Sequence, residues 1–164
     1  MIVVSDTTPL NYLVLVGAID VLPRLFDDVY VPRSVLNELL NSAAPEPVRK
    51  WAGDPPQWVH VADVTSRLPS TAQLDSGEAD AISLAKQIKA GVVLMDERQG
   101  RKVALREGLM VVRTIAVIEL AAEKKLLELE PVLTKLAATT FRVDSALLKA
   151  LMSDDAKKAR ETKS

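Results

Sequence analysis

The chain has 164 residues, 48% hydrophobic and 26% charged, with a formal net charge of -1, the length and composition of one globular domain with a proper core. It holds no run near the ~18 uncharged apolar residues of a membrane span, and Met1 leads straight into a strand with no signal-peptide pattern, so a cytoplasmic protein is expected. Lack of cysteine excludes disulfides and thiolate metal sites, a single histidine (His60) disfavours imidazole catalysis, and near-neutral charge confines any nucleic-acid contact to a local patch.

In chain order, Ile2-Val3-Val4-Ser5 is a short β-branched run ending on Asp6, the pattern of a buried parallel strand. Thr8 is expected to cap the next helix with Pro9 at its first position; Leu10, Leu13 and Val14 form the apolar face and Gly17 ends it. A second helical piece covers 18–26, Val29-Tyr30-Val31 is a short strand, and Pro32 opens the helix RSVLNELLNS. Four prolines between Ala43 and Pro56 predict a loop holding one helical turn. Trp58 to Val64 reads as an edge strand, because it carries His60 and Asp63. A helix opens at Asp75-Ser76-Gly77-Glu78, turns at Gly91, and feeds the uninterrupted run Val92-Val93-Leu94-Met95, which ends on Asp96. A helix from Glu97 to Glu107, stopped by Gly108, and a strand from Leu109 to Val112 follow. After Thr114 only helices are predicted, over 115–129, 131–138 and 145–159. The result is one α/β domain over 1–152 with a helical C-terminal third and a flexible tail at 153–164.

Two parallel strands that each deliver an aspartate to their carboxyl edge point to a site there, since open α/β sheets bind ligands at that edge. The competing role for Asp6 and Asp96 is to cap the helices that follow them. On the helix after Pro32, Val35, Leu36, Leu39 and Leu40 define the core face, and periodicity makes Glu38 a solvated flank residue. Asp75 and Glu78 have capping-box spacing. Glu78 also shares its row with Ala81, Ile82 and Ala85, the side that must face the sheet, whereas Asp80 lies with Ser83, Leu84 and Gln87. Carboxylates gathered in one cleft repel one another unless a cation neutralises them. An all-oxygen set suits Mg²⁺ or Mn²⁺ and metal-assisted phosphodiester hydrolysis. Arg98, Arg101, Lys102 and Arg106 follow Asp96 at near-helical spacing; they form a solvated face and, beside an acidic site, phosphate clamps. Trp51 and Trp58 are read as packing residues in preference to base-stacking ones, and His60 as structural.

These segments together resemble the PIN-domain nucleases, in particular the small stand-alone prokaryotic proteins related to VapC-type toxins. VVSDTTPLNYL is similar to the first strand with its leading acid, VYVPRSVLNELL to the strand and helix carrying the second, LDSGEADAISLA to the third and VVLMDERQGRKVA to the fourth. The eighteen positions from Glu78 to Asp96 agree with the family's spacing. The resemblance covers nearly the whole chain. It implies a three-layer α/β/α sandwich with a central, mainly parallel sheet, and a Mg²⁺- or Mn²⁺-dependent endoribonuclease. Asp6, Glu38, Glu78 and Asp96 are then metal ligands, which raises Glu38 from flank residue to site residue. Thr7, Arg98, Arg101 and Lys102 are substrate-binding. RNA is the substrate, a cognate antitoxin and a homodimer are implied partners, and no membrane is involved. The third acid departs from the family's commoner Asp, with Asp80 as the alternative, and the region after Arg113-Thr114 departs from the compact toxin pattern. The apolar face Leu147, Leu148, Leu151 and Met152 serves either the dimer or closure of the core. Other classes fit less well. A phosphatase with an Asp nucleophile wants a second acid where Thr8 stands, and a receiver domain wants Lys where Arg113 stands. A non-catalytic PIN-like domain that binds a partner, its acids serving as caps, is the remaining alternative.

Overall fold

In the computed structural model, which describes residues 1–142 and 146–154, the apolar runs become five strands. These are β1 (Ile2–Ser5), β2 (Asp28–Pro32), β3 (Val59–Ala62), β4 (Val92–Leu94) and β5 (Met110–Val112). They form one sheet in the order β3-β2-β1-β4-β5, every pairing parallel, with Val4 opposite Tyr30 on one side and Val93 on the other. Alternation along the strands splits the core in two. Val3, Val29, Val31, Val92 and Leu94 face one layer, while Val4, Val93 and Met95 face the other.

The first layer holds α1 (Thr7–Leu15), α2 (Leu22–Leu25), α3 (Arg33–Leu40), α4 (Glu46–Gly53), α7 (Thr114–Glu123) and α8 (Leu129–Ala137). The second holds α5 (Ser76–Gln87) and α6 (Arg98–Arg106). The fold is thus the expected α/β/α sandwich, with a sheet that is wholly parallel. Strand β3 lies at the edge, where His60 Nε2 meets Asp28 Oδ1 at 2.9 Å and its ring lies 4.9 Å from that of Tyr30. Trp51 and Trp58, 6.2 Å apart, pack half-buried on the first core. Among the described residues no helix is long and apolar enough to cross a membrane.

Four local expectations are corrected. Helix α1 starts at Thr7, with Asp6 rather than Thr8 at the cap position, and Pro9 is its third residue. Proline is tolerated there because the first helical amides have no intrahelical acceptor. The proline-rich stretch makes the eight-residue α4 instead of a single turn, with Pro47 in its first turn and Val48 and Ala52 buried one turn apart. A 3-10 turn at Pro69–Thr71 was not expected. Finally, the helix predicted over 115–129 ends at Glu123, and α8 begins at Leu129 instead of Pro131. Lys125 takes a left-handed conformation (φ 60°), and the Leu126 and Lys125 amides donate to Ala121 O and Ala122 O. That is a Schellman cap without its usual glycine.

Residues 146–154 are helical, and Leu148, Leu151 and Met152 pack on the first core while Leu147 stays 43% exposed. The rest of the helix expected over 145–159, and the tail from 155 on, lie outside the described residues.

Candidate active site

Strand β1 sits between β2 and β4, so the chain runs outward to β3 on one side and returns on the other side through β4. The crevice of such a sheet opens where that reversal occurs, at the carboxyl ends of β1 and β4. Asp6 leaves β1 at that point, its amide donating to Leu94 O at 3.0 Å. Helix α3, entered from β2, brings Glu38, and the N-terminus of α5 brings Asp75, Gly77 and Glu78.

Gly77 marks where these elements meet. A methyl group on its Cα would lie 3.1 Å from Asp6 Oδ1, 3.4 Å from Thr7 Oγ1 and 3.5 Å from Glu38 Oε1. Oxygens from three elements therefore aim at one place, and glycine lets the α5 backbone approach without a Cβ pressing on the Asp6 carboxylate. On the α6 side, a methyl on Gly100 would stand 3.5 Å from Glu78 Cδ and 2.5 Å from Met95 Sδ.

Asp6 and Glu78 are 4% and 7% exposed, and no ion pair reaches either among the described residues. Burial pushes the Asp6 carboxyl up to about 7, reinforced by the charges of Asp75, Glu78 and Glu38 and partly offset by the Thr7 amide. Burial likewise pushes Glu78 to about 6, helped by Asp75, Glu97 and Glu38 and opposed by the Asp75 amide. The hydroxyl of Thr7 is buried with no hydrogen-bond partner.

Asp75 caps α5, accepting from the Glu78 amide at 2.8 Å, so the capping-box spacing is real. It does not exhaust Glu78, whose carboxylate is also part of the cluster.

Asp96 stands at the same edge but is held differently. The Thr114 amide donates to its Oδ1 at 3.0 Å and the Thr114 hydroxyl donates to Oδ2. Instead of capping α6, it ties the start of α7 to the end of β4. Burial raises its pKa; the Thr114 bonds, Arg113 and Arg101 offset only part of the rise. No hydrogen bond links Asp96 to Asp6, Glu38 or Glu78 among the described residues.

Asp80 lies elsewhere. It accepts from Ser34 Oγ at 2.6 Å and from Arg67 Nε at 2.7 Å. Burial would raise its pKa, but these bonds and the Arg67 charge outweigh it and the net shift is downward. Arg101 donates through Nε to Asp96 O at 2.9 Å, whereas Arg98 and Lys102 are exposed with no bond to the acids.

The structure therefore brings together Asp6, Thr7, Glu38 and Glu78, holds Asp96 at the same sheet edge against Thr114, and gives Asp80 to an arginine. Sequence reasoning missed Asp75 as a member of the cluster, having assigned it only the cap. It also missed Thr114, although the strand-end logic used for Asp6 and Asp96 applies equally to the residue two beyond β5.

As the side chains stand, no group of three or more Asp, Glu or His among the described residues is poised around a metal ion. The donor chemistry nevertheless fits a hard divalent cation: oxygen ligands only, carboxylates buried without a counter-charge, and an unpartnered hydroxyl among them.

A family model described as a PIN domain matches residues 2–157, and the chain belongs to the PIN-domain family. PIN domains are generally nucleases and typically bind divalent metal ions. No curated protein and no solved structure matches the chain.

Proposed function

We propose that this PIN-domain chain is a metal-dependent endoribonuclease that hydrolyses RNA phosphodiesters at the edge where β1 and β4 end. The observation that carries the reading is the convergence of Asp6, Thr7 and Glu38 on Gly77, beside a buried Glu78 and with no cation paired to any of them among the described residues. Apposed carboxylates of this kind are costly to a fold, and a divalent cation removes the cost.

Asp6, Glu38, Glu78 and Asp96 would hold Mg²⁺ or Mn²⁺, which supplies a nucleophilic water at neutral pH and stabilises the leaving oxygen. The chain's own contributions are positional. Burial and mutual repulsion raise the pKa values of Asp6 and Glu78 while no cation is bound, and a divalent cation placed between them would keep both ionised as ligands. The free Thr7 hydroxyl offers a hydrogen bond to substrate or to an ion-bound water. Thr114 fixes the Asp96 carboxylate, so that one member of the set is oriented before ligand arrives.

The test is cleavage of a mixed RNA pool with Mn²⁺, beside an Asp6→Asn control. Cleavage that needs the metal and disappears in the control is the expected result. Metal-free cleavage, or equal cleavage by Asp6→Asn, refutes the reading, and turnover of a phosphomonoester in its place makes the protein a phosphatase. The toxin role belongs to the same reading: induction in cells should arrest growth, and Asp6→Asn should relieve the arrest.

A further inference from the structure

Next to the acid cluster lies a second feature that the nuclease reading leaves unused. A cavity of about 300 Å³ is lined by Thr8, Tyr12, Asp96, Glu97, Arg113, Thr140, Phe141 and Arg142. Its walls come from three places: α1, the ends of β4 and β5, and the segment that follows α8. Thr8 and Tyr12 are one turn apart on α1 and so share a face. The Tyr12 hydroxyl and Thr140 Oγ1 are 2.7 Å apart, and the rings of Tyr12 and Phe141 pack edge to face at 4.9 Å. These contacts pin the post-α8 segment against α1 and make Arg142 part of the cavity that Asp96 also lines.

The charges are divided. Asp96 and Glu97 stand on one wall, while Arg113 and Arg142 carry two guanidinium groups that are exposed and engaged in no ion pair or hydrogen bond among the described residues. Elsewhere near this edge the arginines are committed: Arg33 to Asp63, Arg67 to Asp80 and Arg101 to Asp96 O. Neither Arg98 nor Lys102 lines the cavity. Two exposed, fork-shaped donors with no hydrogen bond or ion pair among the described residues, beside a half-buried aromatic pair, match the parts of a nucleotide: guanidinium for phosphate, ring for base.

We infer that this cavity seats the nucleotide next to the scissile phosphate of a single-stranded RNA, with Arg113 and Arg142 on its phosphate and its base against Tyr12 and Phe141. The inference rests on the ribonuclease reading and deepens it. It moves the phosphate clamp from the α6 row, where the sequence put it, to the turn after β5 and the segment after α8. It also gives that C-terminal segment a role beyond closing the core.

The experiment measures binding of a short, labelled, single-stranded RNA of mixed sequence by fluorescence anisotropy across a salt series. The Asp6→Asn protein serves as background so that the RNA stays intact. Arg113→Ala and Arg142→Ala should each weaken binding by about tenfold and lower the slope of log affinity against log salt by about one, with melting unchanged. Arg142→Lys should recover part of the loss. With Asp6 intact, the same changes should raise KM and leave kcat nearly unaltered. If the double variant keeps both affinity and slope while wild type cleaves RNA, the inference is overturned and the nuclease reading stands. A wild type that neither binds nor cleaves RNA removes both.

Discussion

Replacing Asp6 by asparagine should stabilise the metal-free protein above neutral pH. The native carboxyl titrates near 7 against 3.8 for an unperturbed aspartate, and each unit of difference corresponds to about 1.4 kcal/mol. At pH 8 the ionised group therefore opposes folding by about 4 kcal/mol. The sign follows from proton uptake. Between pH 3.8 and 7 the native state keeps a proton that the unfolded chain has released, so metal-free stability falls across that window and levels off above it. Asparagine removes the charge but leaves a buried amide to satisfy, which costs about 1 kcal/mol or more. A net gain of about 2–3 kcal/mol remains, or roughly 5–10 °C in Tm for a chain of this size. The assay is thermal melting of both proteins in chelator at pH 5 and pH 8. At pH 5 the wild type holds its proton and the two should melt together; at pH 8 the variant should melt higher. Millimolar Mn²⁺ should then raise the wild-type Tm by mass action and leave Asp6→Asn nearly where it was. A variant that melts several degrees below wild type at both pH values refutes the reasoning, because Asp6 would then be a structural cap.

Three other changes probe the same edge. Glu78→Gln should cost far more activity per folded molecule than Asp80→Asn, because Glu78 faces the cluster and Asp80 faces Arg67; the reverse order in a cleavage assay puts Asp80 in the site. Gly77→Ala should hold or raise Tm, since alanine is the better helix former by about 1 kcal/mol. The same methyl, 3.1 Å from Asp6 Oδ1, should blunt the Mn²⁺-induced shift, and an undiminished shift would mean that the ion sits elsewhere. Thr114→Val removes the hydroxyl that donates to Asp96 Oδ2 and should cost about 1–3 kcal/mol in denaturant melts at pH 8; no loss would show that water replaces the bond.

The central strands β1, β2 and β4 were legible because they are short apolar runs largely buried on both faces, and such runs are hard to mistake once glycine or charge bounds them. Helix ends were easiest to place where glycine carries the left-handed residue. Gly17 and Gly108 do so at φ 73° and 80°, and both ends lie where the sequence puts them. Lys125 takes the same conformation at φ 60°, and there the helix expected to run to 129 stops at Glu123. Asp6 and Asp96 could be placed on one edge from strand logic alone. Glu38 could not, because its helix presents Val35 and Leu39 to the core and an acid beside them looks like a solvated flank. What brings its carboxylate toward Gly77 is the packing of α3 on α5, a contact between segments about forty residues apart that periodicity cannot register.

An acid cluster also has to be kept from the protein's own cations, and Asp80 is well placed to do that. Its Oδ1 accepts from Arg67 Nε and its Oδ2 from Ser34 Oγ and, more weakly, Arg67 Nη2, and Ser34 lies one helical turn before Glu38 on α3. The pair itself contributes little to stability, about 1 kcal/mol or less, because the Arg67 side chain is half exposed. Its value is positional: a guanidinium released there is one turn from Glu38, where it would neutralise a carboxylate meant for a metal. Asp80→Asn should therefore lower activity by raising the Mn²⁺ concentration needed for half-maximal cleavage, not by slowing the saturated rate. Adding Arg67→Ala to that variant should restore the wild-type metal requirement, although it deletes a second side chain. A double variant no better than Asp80→Asn alone would show that Arg67 never reaches the cluster, and that Asp80 affects it through the packing of α3 on α5.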